Sequence, residues 1–221
     1  AVGHTASAAA KQFGVQVEIV DVDNKGNVDL NKLETMLQTN VKTIVSLMHA
    51  NNEIATLLPL KKVSALCRKY NALFHSDTVQ TMGHYQFDMQ DLDIDYVTCS
   101  AHKIHGPKGI GFLYVNNKVR VEPLIHGGSQ ERGFRGGTEN IYGIVGLAKA
   151  MDLAHEDLEG HQKHIQGLKT HLINELKAYF SDVQFHGETS AEKSLYTVIN
   201  VCFPKTDKSS MLLFTLDLKG I

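Results

Sequence analysis

The stretch Ile94-Asp95-Tyr96-Val97-Thr98-Cys99-Ser100-Ala101-His102-Lys103-Ile104-His105-Gly106-Pro107-Lys108-Gly109 decides the fold of this chain. Residues 94–99 are β-prone except for Asp95, so we predict a buried strand there. A serine, a histidine and a lysine follow at once, and a turn rich in glycine and proline comes next. A lysine at the end of a strand presents an amine at the edge of a sheet. Because desolvation lowers the pKa of such an amine and frees its lone pair, Lys103 is a candidate for covalent catalysis. For a lysine taken alone, an exposed loop position without a role is the alternative.

Strands and helices alternate along the rest of the chain. Short apolar runs predict strands at residues 15–22, 43–48, 72–75, 94–99, 111–115 and 197–203. Amphipathic patterns predict helices at residues 31–38, 60–70, 141–158, 161–180 and 209–218. Asp29 is the expected N-cap of the first of these helices. Since some strands are apolar on both faces, the alternation indicates an α/β fold with a largely parallel or mixed sheet.

Composition limits the classes of partner and compartment. The chain has 221 residues and a formal net charge of −2, which gives no electrostatic reason to expect nucleic acid or an anionic membrane as partner. No apolar run approaches the roughly 18 residues that a membrane span needs. The cysteines Cys67, Cys99 and Cys202 are odd in number and widely spaced. We therefore predict reduced, mostly buried thiols in a cytoplasmic protein, without a disulfide framework or a zinc site.

The two ends of the chain carry a further expectation. It opens on Ala1-Val2-Gly3-His4 without an initiator methionine and closes on Leu218-Lys219-Gly220-Ile221, just past an amphipathic pattern. We expect an internal fragment of a longer protein, with a domain boundary near the polar segment 186–193.

Polar side chains cluster where three of the predicted strands end. His49-Ala50-Asn51-Asn52-Glu53 follows the second strand, Ser76-Asp77-Thr78-Val79-Gln80 the third, and Ser100-Ala101-His102-Lys103 the fourth. The glycine-rich loop 126–138 adds two arginines and a threonine. Because ligands of open α/β sheets bind at the carboxyl ends of the strands, these groups are expected to surround one crevice.

Each of these groups also has a simpler explanation when it is taken alone. Asp77 could equally be an N-cap, and Asn52 could equally be a turn residue. Together they match what pyridoxal phosphate (PLP) requires. Its aldehyde needs a lysine, its ring nitrogen a carboxylate, and its phosphate hydroxyls, an imidazole and backbone N–H groups.

Four segments resemble the successive signatures of the cysteine desulfurases, which are PLP enzymes of the class V aminotransferase group with fold type I. The segments are His49-Ala50-Asn51-Asn52-Glu53-Ile54, His75-Ser76-Asp77-Thr78-Val79-Gln80, Ser100 to Gly111, and His126 to Asn140. They occur in order and with family-like spacing. The resemblance implies a three-layer large domain with a mainly parallel mixed sheet, whose major part is residues 1–155. Linking helices and the start of a smaller α/β C-terminal domain would follow in residues 156–221.

The resemblance also implies roles for individual residues around the cofactor ring. Lys103 would form the Schiff base with PLP and later move the substrate Cα proton. Asp77 would pair with the ring nitrogen, and Gln80 would bond the phenolic oxygen. Asn52 would lie on the substrate carboxylate side and contact the cofactor.

Three further residues would hold the phosphate, according to the same resemblance. Ser100 and His102 would bind it within one chain, and Thr138 would reach the phosphate in the other subunit of a homodimer. The family reaction takes L-cysteine to L-alanine and leaves sulfur as a persulfide on an enzyme cysteine. That sulfur goes to iron–sulfur cluster assembly through a scaffold or sulfur acceptor protein.

Several family elements have no counterpart in these 221 residues. They are a phosphate-binding turn, the histidine that stacks on the ring, the persulfide cysteine and the arginine that clamps the substrate carboxylate. His4 stands at the wrong place to replace the histidine, and we expect packing roles for all three cysteines. No metal site is expected, because His102 and His105 have no third ligand at a suitable spacing. We therefore expect the chain alone to be inactive and its longer parent to be a desulfurase.

Three alternatives remain open from the sequence. A selenocysteine lyase shares these motifs, including the Gly127-Gly128-Ser129-Gln130-Glu131-Arg132 loop. Another class V member, such as an aminotransferase or a kynureninase-like hydrolase, is disfavoured by the loop 132–138. The third alternative is a non-catalytic scaffold that only dimerises or binds partners.

Overall fold

A four-stranded sheet forms the centre of the fold in the computed structural model, which describes residues 2–39 and 41–221. Its strands are β1 (Ile44–Met48), β2 (Leu73–Asp77), β3 (Tyr96–Ser100) and β4 (Gly111–Val115), in this spatial order. β1, β2 and β3 pair in parallel, whereas β4 pairs antiparallel to β3. The predicted α/β fold with a mixed sheet is therefore confirmed.

One face of this sheet carries the main hydrophobic core. Side chains of a strand alternate between faces, so Phe74 and Val97 point to the face on which they are fully buried. The helices α2 (Leu30–Leu37) and α3 (Leu60–Lys69) contribute to the same core. Asp29 caps α2 as predicted, because its carboxylate accepts two N–H groups of the first turn.

The remaining elements surround this unit. The other helices are α1 (Val2–Phe13), α4 (Met89–Leu92), α5 (Ile141–Glu156), α6 (Leu158–Tyr179) and α7 (Leu212–Leu218). A second sheet joins β5 (Gln184–His186) to β6 (Asn200–Cys202) in antiparallel fashion. Short 3₁₀ turns span Ala101–Ile104, Gln130–Gly133 and Ser209–Met211. Within the described residues, no helix has the length and apolarity that a membrane crossing requires.

A buried ion pair fixes α3 against the central strands. Asp95 is 1% exposed, and its Oδ2 accepts the Phe74 N–H at 2.7 Å and the Arg68 guanidinium. Asp93 approaches the same guanidinium at 3.4 Å from a partly exposed position. The aspartate that interrupts the apolar run before β3 is thus a structural residue.

Two expectations from the sequence are wrong, and a third needs only a detail added. Residues 15–21 form no strand, and Val22 makes only an isolated bridge to Val28, because the extended segment finds no neighbouring strand to pair with. The predicted helix 209–218 is confirmed, with its first three residues, Ser209–Met211, in a 3₁₀ turn and Leu212–Leu218 α-helical. Cys202 is exposed, since its two-stranded sheet leaves that face uncovered, whereas Cys67 and Cys99 are buried as predicted.

Candidate active site

The carboxyl ends of β1, β2 and β3 meet at one edge of the sheet. Met48 lies opposite Asp77, and Asp77 lies opposite Thr98 in the next strand. The N–H of His49 donates to the Asp77 carbonyl at 2.9 Å, and the Thr78 N–H donates to the Thr98 carbonyl at 3.1 Å. The three polar segments predicted from the sequence therefore leave the sheet side by side.

The turn that carries Lys103 is anchored by its apolar residues. In the 3₁₀ turn after β3, Ala101 and Ile104 are buried against Leu147 and Ala150 of α5. Lys103 is exposed on the other side of the turn. The apolar residues thus fix the turn, and the amine of Lys103 points away from them. The burial expected for Lys103 is not present in this structure.

A hydroxyl and an imidazole are paired beside this lysine. Ser100 Oγ lies 2.7 Å from His102 Nδ1, which joins the last residue of β3 to the turn. His105 has a φ of +62° and closes the turn, where the Gly106 N–H donates to the Ala101 carbonyl at 2.9 Å. This arrangement places a hydroxyl and an imidazole side by side, and both are groups that can bind a phosphate.

Asp77 is half-buried, and one of its carboxylate oxygens is already used. Oδ1 accepts the Val79 N–H at 3.0 Å, and the described residues give its second oxygen no hydrogen bond. No helix begins there, so Asp77 is not the N-cap that its sequence alone allowed. Two residues earlier, His75 Nδ1 lies 2.6 Å from Ser46 Oγ; burial lowers the pKa of His75, and the Asp77 charge opposes this. Gln80 is half-buried in the turn that follows.

Asn52 and Thr138 are exposed. Within the described chain, neither side chain is hydrogen-bonded to the other predicted site residues. The turn that carries Asn52 is held by Asn51, whose Oδ1 accepts the N–H groups of Glu53 at 2.9 Å and Ile54 at 3.0 Å. Thr138 lies in the glycine-rich loop before α5. Asp77 and Gln80 therefore follow β2, and Ser100, His102 and Lys103 lie at the end of β3 or follow it, at the shared edge of the sheet. Asn52 lies in the turn after β1, and Thr138 lies on the separate glycine-rich loop.

The glycine-rich loop has an unusual backbone. Glu131, Arg132 and Gly133 follow one another with φ values of +48°, +56° and +83°. The left-handed conformation costs a non-glycine residue about 1–2 kcal/mol. All three residues are exposed.

Two histidines near this edge were given no individual role from the sequence. Burial lowers the pKa of His49 to about 4, and its Nδ1 lies 2.9 Å from Thr81 Oγ1. His84 is half-buried, and its Nδ1 lies 3.0 Å from Tyr196 Oη. Burial is the main cause that lowers the pKa of His84. The preceding Gly83 was a usable signal for a tight turn, but nothing in the sequence indicated the contact with Tyr196.

The chemistry of these groups fits PLP. An exposed amine, a carboxylate with an uncommitted oxygen and a hydroxyl–imidazole pair are the donor set that its aldehyde, ring nitrogen and phosphate need. The backbone is also closely packed there, because a Cβ at Gly111 would collide with the carbonyl of Cys99. The described residues contain no group of three or more His, Cys, Asp or Glu side chains that could hold a metal ion.

Comparison with known proteins agrees with these features. The family profile "Aminotransferase class-V" matches residues 1–221. The cysteine desulfurase IscS of Clostridium botulinum (strain Hall) is 40% identical over 221 residues, which are 100% of this chain and 55% of that protein. A solved NifS-like protein superposes with a TM-score of 0.87 at 39% identity, over 99% of this chain and 59% of the other. The NifS-like protein of Rickettsia africae gives 0.85 at 31% identity, over 96% and 59%. The resemblance stated from the motifs is confirmed, and the chain spans about half the length of the curated relatives it matches.

Proposed function

Because this chain belongs to the class-V aminotransferase family, we propose that the protein that carries it is a PLP-dependent cysteine desulfurase. The carbon–sulfur bond of L-cysteine breaks, L-alanine keeps the carbon skeleton, and the sulfur joins an enzyme cysteine thiol as a persulfide. The observation that carries this proposal is the edge shared by Asp77, the Ser100–His102 pair and Lys103. Its donor set fits the cofactor, and its elements follow one another in the order of the family motifs.

Each residue at this edge would have one task. When bound, PLP supplies an electron sink for the bonds at the substrate Cα. Lys103 would bind the cofactor aldehyde through Nζ and then carry the Cα proton on that atom. Asp77 would keep the ring nitrogen protonated, because a nearby carboxylate favours the cationic form. Gln80 would donate to the phenolic oxygen.

The remaining groups would orient the cofactor and the substrate. Ser100 and His102 would hold the phosphate with charge-assisted hydrogen bonds. Thr138 would contribute to the phosphate site of the partner subunit in a homodimer, and Asn52 would contact the cofactor on the substrate carboxylate side.

We place the persulfide on a cysteine other than the three in this chain. Burial raises the pKa of Cys67 to about 12 and that of Cys99 to about 11, which keeps both thiols protonated and unreactive. Cys202 is exposed, so burial does not exclude it. It lies at the end of β6, outside the segments that match the family motifs.

The organisation of the longer protein is part of the proposal. We assign residues 1–155 to the large PLP-binding domain and residues 156–221 to the linking helices and the start of the small domain. The four-stranded sheet lies before this boundary and the β5–β6 sheet lies after it. An iron–sulfur scaffold or another sulfur acceptor would receive the persulfide sulfur, and a cytoplasmic location stays a prediction.

The decisive experiment combines a spectrum with a covalent label. The full-length protein incubated with PLP should show an absorbance band near the edge of the visible range, and borohydride should remove the band and fix the cofactor on the peptide that contains Lys103. It should also release sulfide from L-cysteine in the presence of a thiol. Lys103→Ala should abolish all three signals, whereas Lys149→Ala, on the exposed surface of α5, should keep them.

The same experiment tests the alternatives. A full-length protein that stays colourless in excess PLP would identify a non-catalytic scaffold. A rate on L-selenocysteine that far exceeds the rate on L-cysteine would identify a selenocysteine lyase. We expect residues 1–221 expressed alone to bind PLP weakly or not at all, and sulfide release above the Lys103→Ala background would contradict this.

A further inference from the structure

Lys169 is a buried cation of α6 that is held by neutral groups. It is 6% exposed, and its Nζ donates to Ser194 Oγ at 2.6 Å and to the Leu195 carbonyl at 2.8 Å. No ion pair of Lys169 with a carboxylate is found among the described residues. An ammonium group is costly to bury, and burial lowers the pKa of Lys169 to about 8. The buried amine offsets this cost only through its two directional hydrogen bonds, and both go to one short segment of the chain.

That segment, which we call the bracket, consists of residues Lys193 to Tyr196. Ser194 and Leu195 are fully buried, and Tyr196 is 3% exposed. At one end, the Leu57 N–H donates to the Lys193 carbonyl at 2.9 Å, and the Leu195 N–H donates to the Ala55 carbonyl at 2.8 Å. These two bonds fix the end of the turn that carries Asn52.

The other end of the bracket reaches the turn that carries Lys103. Tyr196 Oη lies 3.0 Å from His84 Nδ1, and the two rings meet edge to face with centroids 5.7 Å apart. Gly83, the residue before His84, packs against Ile104 of that turn, because a Cβ at Gly83 would lie 2.7 Å from Ile104 Cγ2. A neutral imidazole can accept the Tyr196 hydroxyl proton at Nδ1, so Tyr196 holds the loop that contacts this turn.

We propose that Lys169 is a positioning residue, which holds the bracket so that the turns carrying Asn52 and Lys103 keep their mutual placement. The inference rests on the proposed function, because it assigns a purpose to that placement. An apolar side chain could fill the same volume, but it would not fix the direction of the Leu195 carbonyl or of the Ser194 hydroxyl. α6 thereby becomes a support for two loops that the central sheet alone does not join.

The test uses the full-length protein with Lys169→Met, Lys169→Arg and the matched control Lys163→Met on the exposed side of α6. Amide exchange is measured at Leu57 and Leu195, and PLP affinity is measured by absorbance titration. Lys169→Met removes both hydrogen bonds of Nζ, and the loss of one alone corresponds to about a tenfold change. Lys169→Met should therefore speed exchange at both amides by a factor of about ten or more and weaken PLP binding by a similar factor. Lys169→Arg should restore most of both signals, and the control should match the wild type.

A second variant separates the two ends of the bracket and covers the case in which Lys169→Met does not fold. Tyr196→Phe removes only the hydroxyl that faces His84. It should weaken PLP binding severalfold while exchange at Leu57 and Leu195 stays at the wild-type rate.

The possible outcomes separate a failure of the inference about Lys169 from a failure of the proposed function. Unchanged exchange at Leu57 and Leu195 in Lys169→Met would overturn the inference. Faster exchange with unchanged PLP affinity in Lys169→Met, or unchanged affinity in Tyr196→Phe, would also overturn it while the proposed function stands. A wild-type protein that binds no PLP would overturn the proposed function itself, and the inference with it.

Discussion

Replacing Gly83 by alanine should disturb the contact between the loop after β2 and the turn that carries Lys103. Gly83 has a φ of +76°, and a Cβ there would lie 2.7 Å from Ile104 Cγ2 and 3.3 Å from the Ala154 Cβ. Ile104 is 4% exposed and packs against α5, so it has no free space into which it could move. Gly109 offers a matched control, because its φ is +78° and a Cβ there would meet no atom within 4 Å.

Gly83→Ala and Gly109→Ala share the cost of backbone strain, but only one of them also overpacks the core. Left-handed backbone costs an alanine about 1–2 kcal/mol at either position. Overpacking of a filled core adds about 1–3 kcal/mol, and only Gly83→Ala should incur it. We therefore expect Gly109→Ala to lower the free energy of unfolding by about 1–2 kcal/mol and Gly83→Ala by about 2–5 kcal/mol.

Urea unfolding curves of both variants measure this difference, provided that their m-values agree. Combining Gly83→Ala with Ile104→Leu removes the branch methyl at the point of collision, so the pair should be less destabilising than the sum of its parts. Equal destabilisation by Gly83→Ala and Gly109→Ala, together with strict additivity with Ile104→Leu, would refute the packing argument.

Four further changes test separate parts of the structure. Asp95→Ala should lower the free energy of unfolding by about 1–4 kcal/mol, because it leaves the buried Phe74 N–H without its acceptor and leaves Arg68 only the longer contact with Asp93. Asp93→Ala, on the partly exposed side, should cost less than about 1 kcal/mol in the same urea unfolding curves. The pKa of Lys169 is about 8 in the fold and ordinarily 10.5, so the unfolded chain binds the extra proton between these values. The unfolding free energy of the wild type relative to Lys169→Met should therefore rise with pH over that window, by up to about 3 kcal/mol at 1.36 kcal/mol per pKa unit. For His49 the pKa falls from 6.5 to about 4, so wild type relative to His49→Gln should lose up to about 3 kcal/mol as pH falls through that range. Cys202→Ser should leave sulfide release by the full-length protein unchanged, and loss of release would instead make this exposed thiol the sulfur acceptor.

Local signals explain why the central sheet could be predicted from the sequence. β2 and β3 are short apolar runs that end in polar residues, and Asp29 before an amphipathic pattern marks the start of α2. Such signals depend on residues within one element. They also located Asp77 and Lys103, because the carboxyl end of a parallel strand is defined as soon as the strand itself is defined.

Contacts between distant segments could not be predicted in the same way. Residues 15–21 have the apolar alternation of a strand, but a strand also needs a neighbour. Within the described residues this segment pairs only at its end, where the Asp29 N–H donates to the Asp21 carbonyl at 2.9 Å. The contact of His84 with Tyr196 spans 112 residues, and no local pattern of either residue indicates the other. The first helix, α1, was missed as well, because Val2 and Phe13 are its only large apolar residues and the rest of its apolar side chains are small alanines.

Two lysines show why a perturbed pKa is not enough to find the reactive amine. Burial lowers the pKa of Lys169, and this property alone would mark it as the nucleophile. Yet its Nζ is enclosed and engaged by Ser194 and Leu195, so a cofactor cannot reach it without breaking both bonds. Lys103 is exposed and stands beside the Ser100–His102 pair at the edge where ligands of such sheets bind. Accessibility and neighbouring groups therefore select Lys103 for the chemistry, and the buried lysine is better suited to hold the site in place.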